Sequence, residues 1–316
     1  MNEFLTVLGA VVPVFCLAAV GLVIRKLNWL TEEADQSLLR VNINLLYPCL
    51  ILDAALGNPA MSQLGNLVLA PAFGFITVAL GIWLARSAGW LHGLREPAAA
   101  RTFAVSVGIY NYGYIPVPLA ILLFDKQTAA VVFVLSVGVE LALWTLGVMT
   151  LTGAGVRQSW RRLFNAPLVA IVLALLLNAV GAPGHLPSVV TTMLKLLGQC
   201  AVPMALVLTG AIVGDHLHEF HSASGWRVIG SAAVIRLGLL PVIFLAAAKF
   251  LPASTELKRV IAIESAMPAA VFPIVMARHY AGDPPTAMRV VIGTTVVGLV
   301  TIPLWIRLGM HWLGLQ

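Results

Sequence analysis

The stretch Ile109-Tyr-Asn-Tyr-Gly-Tyr-Ile-Pro-Val-Pro118 lies inside an apolar segment, about residues 102–124, that is long enough to cross a bilayer. An Asn, a Gly and two prolines stand near its middle. Pro116 and Pro118 have no backbone N–H, and Gly113 lets the chain unwind cheaply. A helix broken here bares N–H and C=O groups in a medium without water. That is tolerated only where protein or a hydrated cavity satisfies them. A second stretch, Glu264-Ser-Ala-Met-Pro-Ala-Ala-Val-Phe-Pro273, repeats the pattern. Two broken membrane helices with polar residues at the breaks point to a transport site.

The composition agrees. Of 316 residues, 60% are hydrophobic and 10% charged, and the mean hydropathy is +0.95. Soluble domains carry roughly 25% charged residues, so this is an all-α integral membrane chain. Ten apolar segments can be read, at about 4–24, 37–56, 65–85, 102–124, 128–151, 166–180, 190–213, 227–248, 257–277 and 287–309. Each is near the ~20 residues that a spanning helix needs, the sixth being short. The first is too long for a signal-peptide core and lacks an Ala-x-Ala site, so it is expected as a span. The net charge of +6 is scattered between apolar runs, which fits cytoplasmic loops and not nucleic acid. Cys16, Cys49 and Cys200 are expected as buried thiols. Asp215, His216, His218, Glu219 and His221 read as a solvated loop, so no metal and no cofactor is expected.

The two halves repeat. Tyr47-Pro48 in span 2 matches Val202-Pro203 in span 7, and Pro118 in span 4 matches Pro273 in span 9, both 155 residues later. Asp125-x-x-Thr128 after span 4 recurs as Asp283-x-x-Thr286 after span 9. Five spans is an odd number, so the second half enters the membrane inverted. The expectation is two inverted five-helix repeats, 1–152 and 166–316, joined by a basic linker, 153–165. Broken spans 4 and 9 would then cross near the midplane. Twelve Lys and Arg lie in or beside the odd-numbered loops and six on the opposite side, with Arg236 left inside span 8. Both termini are therefore expected outside.

These residues resemble the auxin efflux carrier family, which includes plant auxin exporters and bacterial carriers of malate or malonate. The resemblance is strongest in Val234-Ile-Arg236-x4-Pro241, Ile261-Ala-Ile263-x3-Met267-Pro268-x4-Pro273, Tyr280, and Val291-Ile-Gly293 through Ile302-Pro-Leu304. Asn111 followed by Ile115-Pro116 matches the span 4 signature, and Glu140-x3-Trp144 falls where plant members carry a Gln before a Trp. The resemblance implies the inverted-repeat fold of bile-acid sodium symporters. It also implies an elevator mechanism against a scaffold of spans 1, 2, 6 and 7, a homodimer, and an inner-membrane location. Two departures stand out: the linker is short, and Pro71 to Trp83 in span 3 holds no charge.

By this resemblance Asn111 contacts a substrate carboxylate. The expected substrate-binding set is Asn111, Tyr112, Gly113, Pro116, Pro118, Ser265, Pro268 and Pro273. Glu140, Arg236 and Glu264 are ionisable residues inside apolar spans, where charges are costly and are paired or functional. One reading pairs Arg236 with a carboxylate and leaves the other acid to couple H+ or Na+. The expected function is secondary transport of a small mono- or dicarboxylate. The alternative is a cation/proton antiporter using Glu140 and Glu264. The spans hold no Ser/His or Cys/His pair and no HExxH motif, which argues against an enzyme. Asp53 reads as interfacial, and Arg278, His279 and Tyr280 as anchors ending span 9.

Overall fold

The computed structural model describes residues 2–153, 164–215 and 225–315. Among these residues, seven helices are long and apolar enough to cross a membrane: Leu5–Lys26, Glu32–Ala55, Leu64–Ser87, Lys126–Thr152, Ser188–Asp215, Gly225–Phe250 and Pro284–Leu313. They are spans 1, 2, 3, 5, 7, 8 and 10. Span 6 is the shorter Ala166–Ala179. Spans 4 and 9 are each broken in two, as Pro97–Gly108 with Pro116–Leu123, and Thr255–Ser265 with Phe272–His279. The breaks fall on the two stretches rich in proline.

Helix starts are set by side-chain caps, which satisfy amides that have no partner in the first turn. Asp125 accepts from Thr128 N at 2.7 Å and Asp283 accepts from Thr286 N at 3.0 Å, so the recurring Asp-x-x-Thr motif does the same work twice. Asn165 caps span 6 and Ser254 caps span 9 in the same way.

Close packing relies on small residues, since lipid offers no hydrophobic drive between helices. A Cβ on Gly138 would lie 1.8 Å from the Pro71 carbonyl oxygen, so spans 3 and 5 meet backbone to backbone. Gly210 meets the Ala18 carbonyl equally closely, joining spans 1 and 7. Those two run in the same sense, because Arg25 at the end of span 1 reaches Asp215 at the end of span 7, at 3.3 Å. Spans 4 and 9 run oppositely. Arg259 near the start of span 9 pairs with Asp125 just beyond span 4 at 3.2 Å. At the other end Thr102 of span 4 accepts from Asp283 N just beyond span 9, at 2.9 Å.

The loop after span 3 is held by the start of span 8, where Arg227 donates to the carbonyls of Trp90 and Leu91. His92 is buried there against Phe103, and its Nδ1 accepts from Leu94 N at 3.0 Å. Burial, with the Arg227 charge second, pulls its pKa below the ordinary histidine value. Asp53 at the end of span 2 pairs with Lys126 at 2.8 Å, as an interfacial residue would. Trp29, Trp90 and Trp226 are exposed at or beside helix ends, while Trp160 lies outside the described residues. The cysteines correct an expectation: Cys49 is buried, but Cys16 and Cys200 are exposed on helix surfaces. An apolar run does not reveal which of its faces meets lipid and which meets protein.

Replacing Gly138 by Ala should cost about 1–3 kcal/mol, the scale of an overpacked contact that must shift backbone. Gly9, whose Cβ position is open, is the control. Gly9→Ala should leave thermal unfolding in detergent unchanged or raise its midpoint, while Gly138→Ala lowers it.

Candidate functional site

Breaking two helices in a membrane creates a hydrogen-bond deficit, and the two breaks largely make it good for each other. Asn111 N donates to the Pro268 carbonyl at 2.8 Å, and Ala270 N donates to the Ile109 carbonyl at 2.9 Å. The result is one antiparallel bridge between Tyr110 and Ala269. Ala269 N is taken by Thr294 Oγ1 of span 10 at 3.1 Å. Tyr110, wholly buried, shares a hydrogen bond with Thr77 of span 3 at 2.9 Å. The crossing is therefore pinned from both neighbouring helices.

Asn111 is 7% exposed and divides its amide between two tasks. Its Oδ1 accepts from Ile115 N at 3.2 Å and, more weakly, from Gly113 N at 3.5 Å. This holds the turn that leads into the helix Pro116–Leu123, whose prolines at positions 116 and 118 have no N–H to be satisfied. The amide nitrogen makes no hydrogen bond among the described residues. Asn111 thus presents a donor and keeps its acceptor occupied, at the positive end of a half-helix. That combination suits an anion.

Arg236 does not form the ion pair that one reading of the sequence gave it. It is wholly buried in a π-helical segment of span 8, Val234–Leu239. Its guanidinium donates to main-chain carbonyls, Met267 at 2.8 Å and Glu264 at 3.1 Å, and at 3.5 Å to Ser265. The physical reason is local. In a continuous helix the Glu264 carbonyl would receive the amide four residues on, which is Pro268 and has none. The guanidinium supplies a donor, and its charge opposes the negative end of the helix Thr255–Ser265. Its Cζ also sits 4.5 Å from the Tyr110 ring centroid and 5.3 Å from that of Phe244, which adds cation–π attraction.

The two intramembrane acids are unlike. Glu264 is wholly buried and, among the described residues, neither carboxyl oxygen has a hydrogen-bond partner. The remaining Arg236 nitrogen, Nη1, likewise has no hydrogen-bond partner among the described residues. Glu140 is half-buried and well held: Asn165 donates to it closely, Trp144 one turn on interacts with it, and Tyr112 Oη approaches at 3.5 Å. Asn165 was legible only as part of the linker, and it joins span 6 to span 5 here. A cleft of about 110 Å³ lies beside Glu140, lined by Ser136, Pro167, Leu168 and Ile171.

Of the expected site residues, the structure gathers Asn111, Tyr112, Gly113, Pro116 and Pro268 at the crossing. Pro118 and Pro273 lie in the first turns of the outgoing half-helices. Ser265 is not presented to the site: it is wholly buried, and its hydroxyl donates to Ala262 O at 2.9 Å. Other residues join without a clear sequence signal. Tyr47 of span 2 packs edge-on against Tyr114 at 5.8 Å and Phe133 at 5.6 Å. A Cβ on Gly113 would come within 2.4 Å of the Tyr47 hydroxyl, so only glycine leaves room for it. The hydroxyls of Tyr47, Tyr112 and Tyr114 lie within electrostatic reach of one another and of Glu140. Most of the acidic and histidine cluster after span 7, from His216, lies outside the described residues. Among the described residues no three His, Cys, Asp or Glu gather as a metal site.

Two curated proteins align over nearly their whole lengths. One, from Methanothermobacter thermautotrophicus, is 26% identical over 298 residues, covering 93% of this chain and 96% of the relative. The other, from Methanocaldococcus jannaschii, is 23% identical over 308 residues, covering 94% and 97%. Both are described as uncharacterized transporters. The family model described as "Membrane transport protein" matches residues 6–306. The chain is a multi-pass membrane protein that belongs to this family of transporters, the auxin efflux carrier family.

Proposed function

We propose that the protein is a secondary carrier of a small organic anion, bound where spans 4 and 9 cross. The observation that carries this is the division of Asn111: its oxygen holds the turn into a half-helix while its NH2 has no partner among the described residues, near the helix's positive end. The halves 1–152 and 166–316 are read as inverted five-helix repeats about this crossing. The twin Asp-x-x-Thr caps, the antiparallel course of spans 4 and 9, and the shared sense of spans 1 and 7 support that reading. Both termini face outside, in a cytoplasmic (inner) membrane.

Movement follows the elevator pattern, spans 1, 2, 6 and 7 forming the scaffold of a homodimer. Polar links that bridge scaffold and mobile part include Asp53 to Lys126 and Asn165 to Glu140. The first has an exposed lysine, and ion pairs open to solvent contribute about 0–1 kcal/mol, so it opens at modest cost. Glu264 is read as the coupling group. A buried carboxylate without hydrogen bonds is costly unless a proton or a cation joins it. The same observation supports a second reading, a cation/proton antiporter in which Glu264 and Glu140 bind the ion.

Asn111→Asp keeps the capping oxygen and removes the donor. It should leave the fold intact and weaken binding of small carboxylates by at least about 1.5–3 kcal/mol, the worth of a hydrogen bond to a charged group. A thermal-shift screen of carboxylates against wild type and variant reads this, since a ligand raises apparent stability. Equal shifts in both proteins would remove Asn111 from the site.

Coupling is tested by the dissociation constant of the best carboxylate from about pH 5 to 8, with and without sodium, spanning the range of perturbed carboxyl groups. Protonation removes a negative charge that repels the anion, so wild-type affinity should rise as pH falls, and Glu264→Gln should bind well without that dependence. Sodium or proton binding with no carboxylate competition anywhere would favour the antiporter.

Single cysteines placed at the N-terminus and at Gly153, in a background lacking Cys16, Cys49 and Cys200, should react with an impermeant thiol reagent from opposite sides. Labelling of both from one side would dismantle the inverted arrangement.

A further inference from the structure

Charge is unevenly shared at the end of the molecule where span 1 meets span 7. Among the described residues of spans 1, 2 and 7 there, Arg25, Lys26 and Arg40 stand with Glu32, Glu33, Asp35 and Asp215. Arg25 is paired with both aspartates. At the same end of spans 3, 4, 8, 9 and 10 the basic residues are Arg86, Arg95, Arg101, Arg227, Arg278 and Arg289, and the acids are Glu96 and Asp283. Asp283 is already engaged as the cap of span 10. A general bias of basic residues toward one side of a bilayer would charge both sets alike. The excess on one set suits an anionic partner.

One of these arginines is held in a fixed pose. Arg227 stands at the start of span 8 and reaches the loop after span 3. Its Nε donates to the Leu91 carbonyl at 2.8 Å and its Nη2 to the Trp90 carbonyl at 2.9 Å. Gly93 has φ +66°, and a Cβ on it would lie 3.0 Å from Arg227 Nη1, so a glycine there makes room for the guanidinium. Arg227 is exposed, and its Nη1 has no hydrogen-bond partner among the described residues. Trp226, its neighbour in sequence, is 65% exposed, and Trp90, whose carbonyl it holds, is 75% exposed. Arg86, four residues before Trp90, is exposed as well.

We infer that this corner, where the loop after span 3 meets the start of span 8, binds the headgroup of an anionic phospholipid. A guanidinium matches the oxygens of a phosphate, and two carbonyls fix this one in advance. Indoles settle at the headgroup layer, where one end of the side chain is apolar and the other is wet, so Trp90 and Trp226 set the depth of the corner. A free phosphate would engage the arginine and gain nothing from two exposed indoles. A zwitterionic lipid would bring its own cation to a place that already holds Arg227 and Arg86. Basic residues clustered beside a membrane-spanning helix are the pattern that anionic lipids recognise. Such a site is independent of what binds at the crossing.

The test is native mass spectrometry and thermal unfolding of the full-length protein, delipidated in detergent and then given dioleoyl phosphatidylglycerol, dioleoyl phosphatidylcholine or inorganic phosphate. Wild type should retain phosphatidylglycerol over phosphatidylcholine by at least about fivefold, and should melt higher with it. Arg227→Gln should abolish that preference. Arg86→Gln and the double variant Trp90→Ala/Trp226→Ala keep the Arg227 bonds to main-chain carbonyls, and each should lower the preference by at least about twofold. Lys26→Gln, which removes an exposed charge at the same end of span 1, is the control and should change nothing. Equal retention of the two lipids by wild type overturns the inference, as does an equal loss of preference in Lys26→Gln, which would mean diffuse surface charge. Release of phosphatidylglycerol by millimolar phosphate makes the corner a site for free anions and overturns the lipid assignment. Should Arg227→Gln not fold, the other two variants decide: an unchanged preference in both overturns the proposal. Carboxylate binding by wild type and Asn111→Asp is read separately, so the carrier reading can fail while the lipid site stands, or the reverse.

Discussion

In a bilayer a backbone amide or carbonyl without a partner has nowhere to turn, and the organisation of this protein follows from that constraint. Two prolines after Asn111 and one after Met267 make the helical ladder impossible at two places. Each break is then repaired by the other, through the exchange between Asn111 and Pro268 and between Ile109 and Ala270. The outer ends are tied the same way, Asp125 to Arg259 and Thr102 to Asp283. Neither broken span is a stable element alone. The two form a single unit, and spans 3, 8 and 10 pin it with Thr77, Arg236 and Thr294.

Within that unit the charges have been assigned distinct work. Arg236 spends two of its three guanidinium nitrogens on carbonyl oxygens. Glu140 is committed to Asn165, Trp144 and Tyr112 at the boundary between spans 5 and 6. Glu264 is committed to nothing beyond the field of its arginine neighbour. A transport site needs this asymmetry, because a group that is fully satisfied in one state has no reason to change its occupancy in another.

Much of this was legible in the sequence. Prolines and polar residues inside apolar runs located both breaks, and Asp-x-x-Thr marked two helix starts that use the motif as caps. What could not be read has physical causes. The partners of Arg236 are carbonyls, which every residue has and no side chain announces; a search for an acidic partner therefore looked at the wrong chemistry. The π-helical turn Asn42–Leu46 of span 2 has no sequence signature, because a widened turn takes the same residue types as an α-helical one. Cys16 and Cys200 seemed interior because lipid-facing and protein-facing positions carry the same kinds of side chain. Ser265 has the right position beside the break but turns its hydroxyl into its own helix.

The capping of span 9 by Arg236 also bears on how the chain enters the membrane. Span 8, Gly225–Phe250, leaves the ribosome before Thr255–His279 has been made, and it carries a guanidinium in its middle. A central arginine opposes insertion by about 2.5–3.5 kcal/mol on translocon scales. The carbonyls that relieve this cost belong to residues 264, 265 and 267, and they are available because span 9 is broken there. Spans 8 and 9 are thus a biosynthetic pair: the first waits, inadequately solvated, for the second. A span 9 wound into one unbroken helix would leave the arginine bare in the membrane, so the pairing selects the broken form at the moment of assembly.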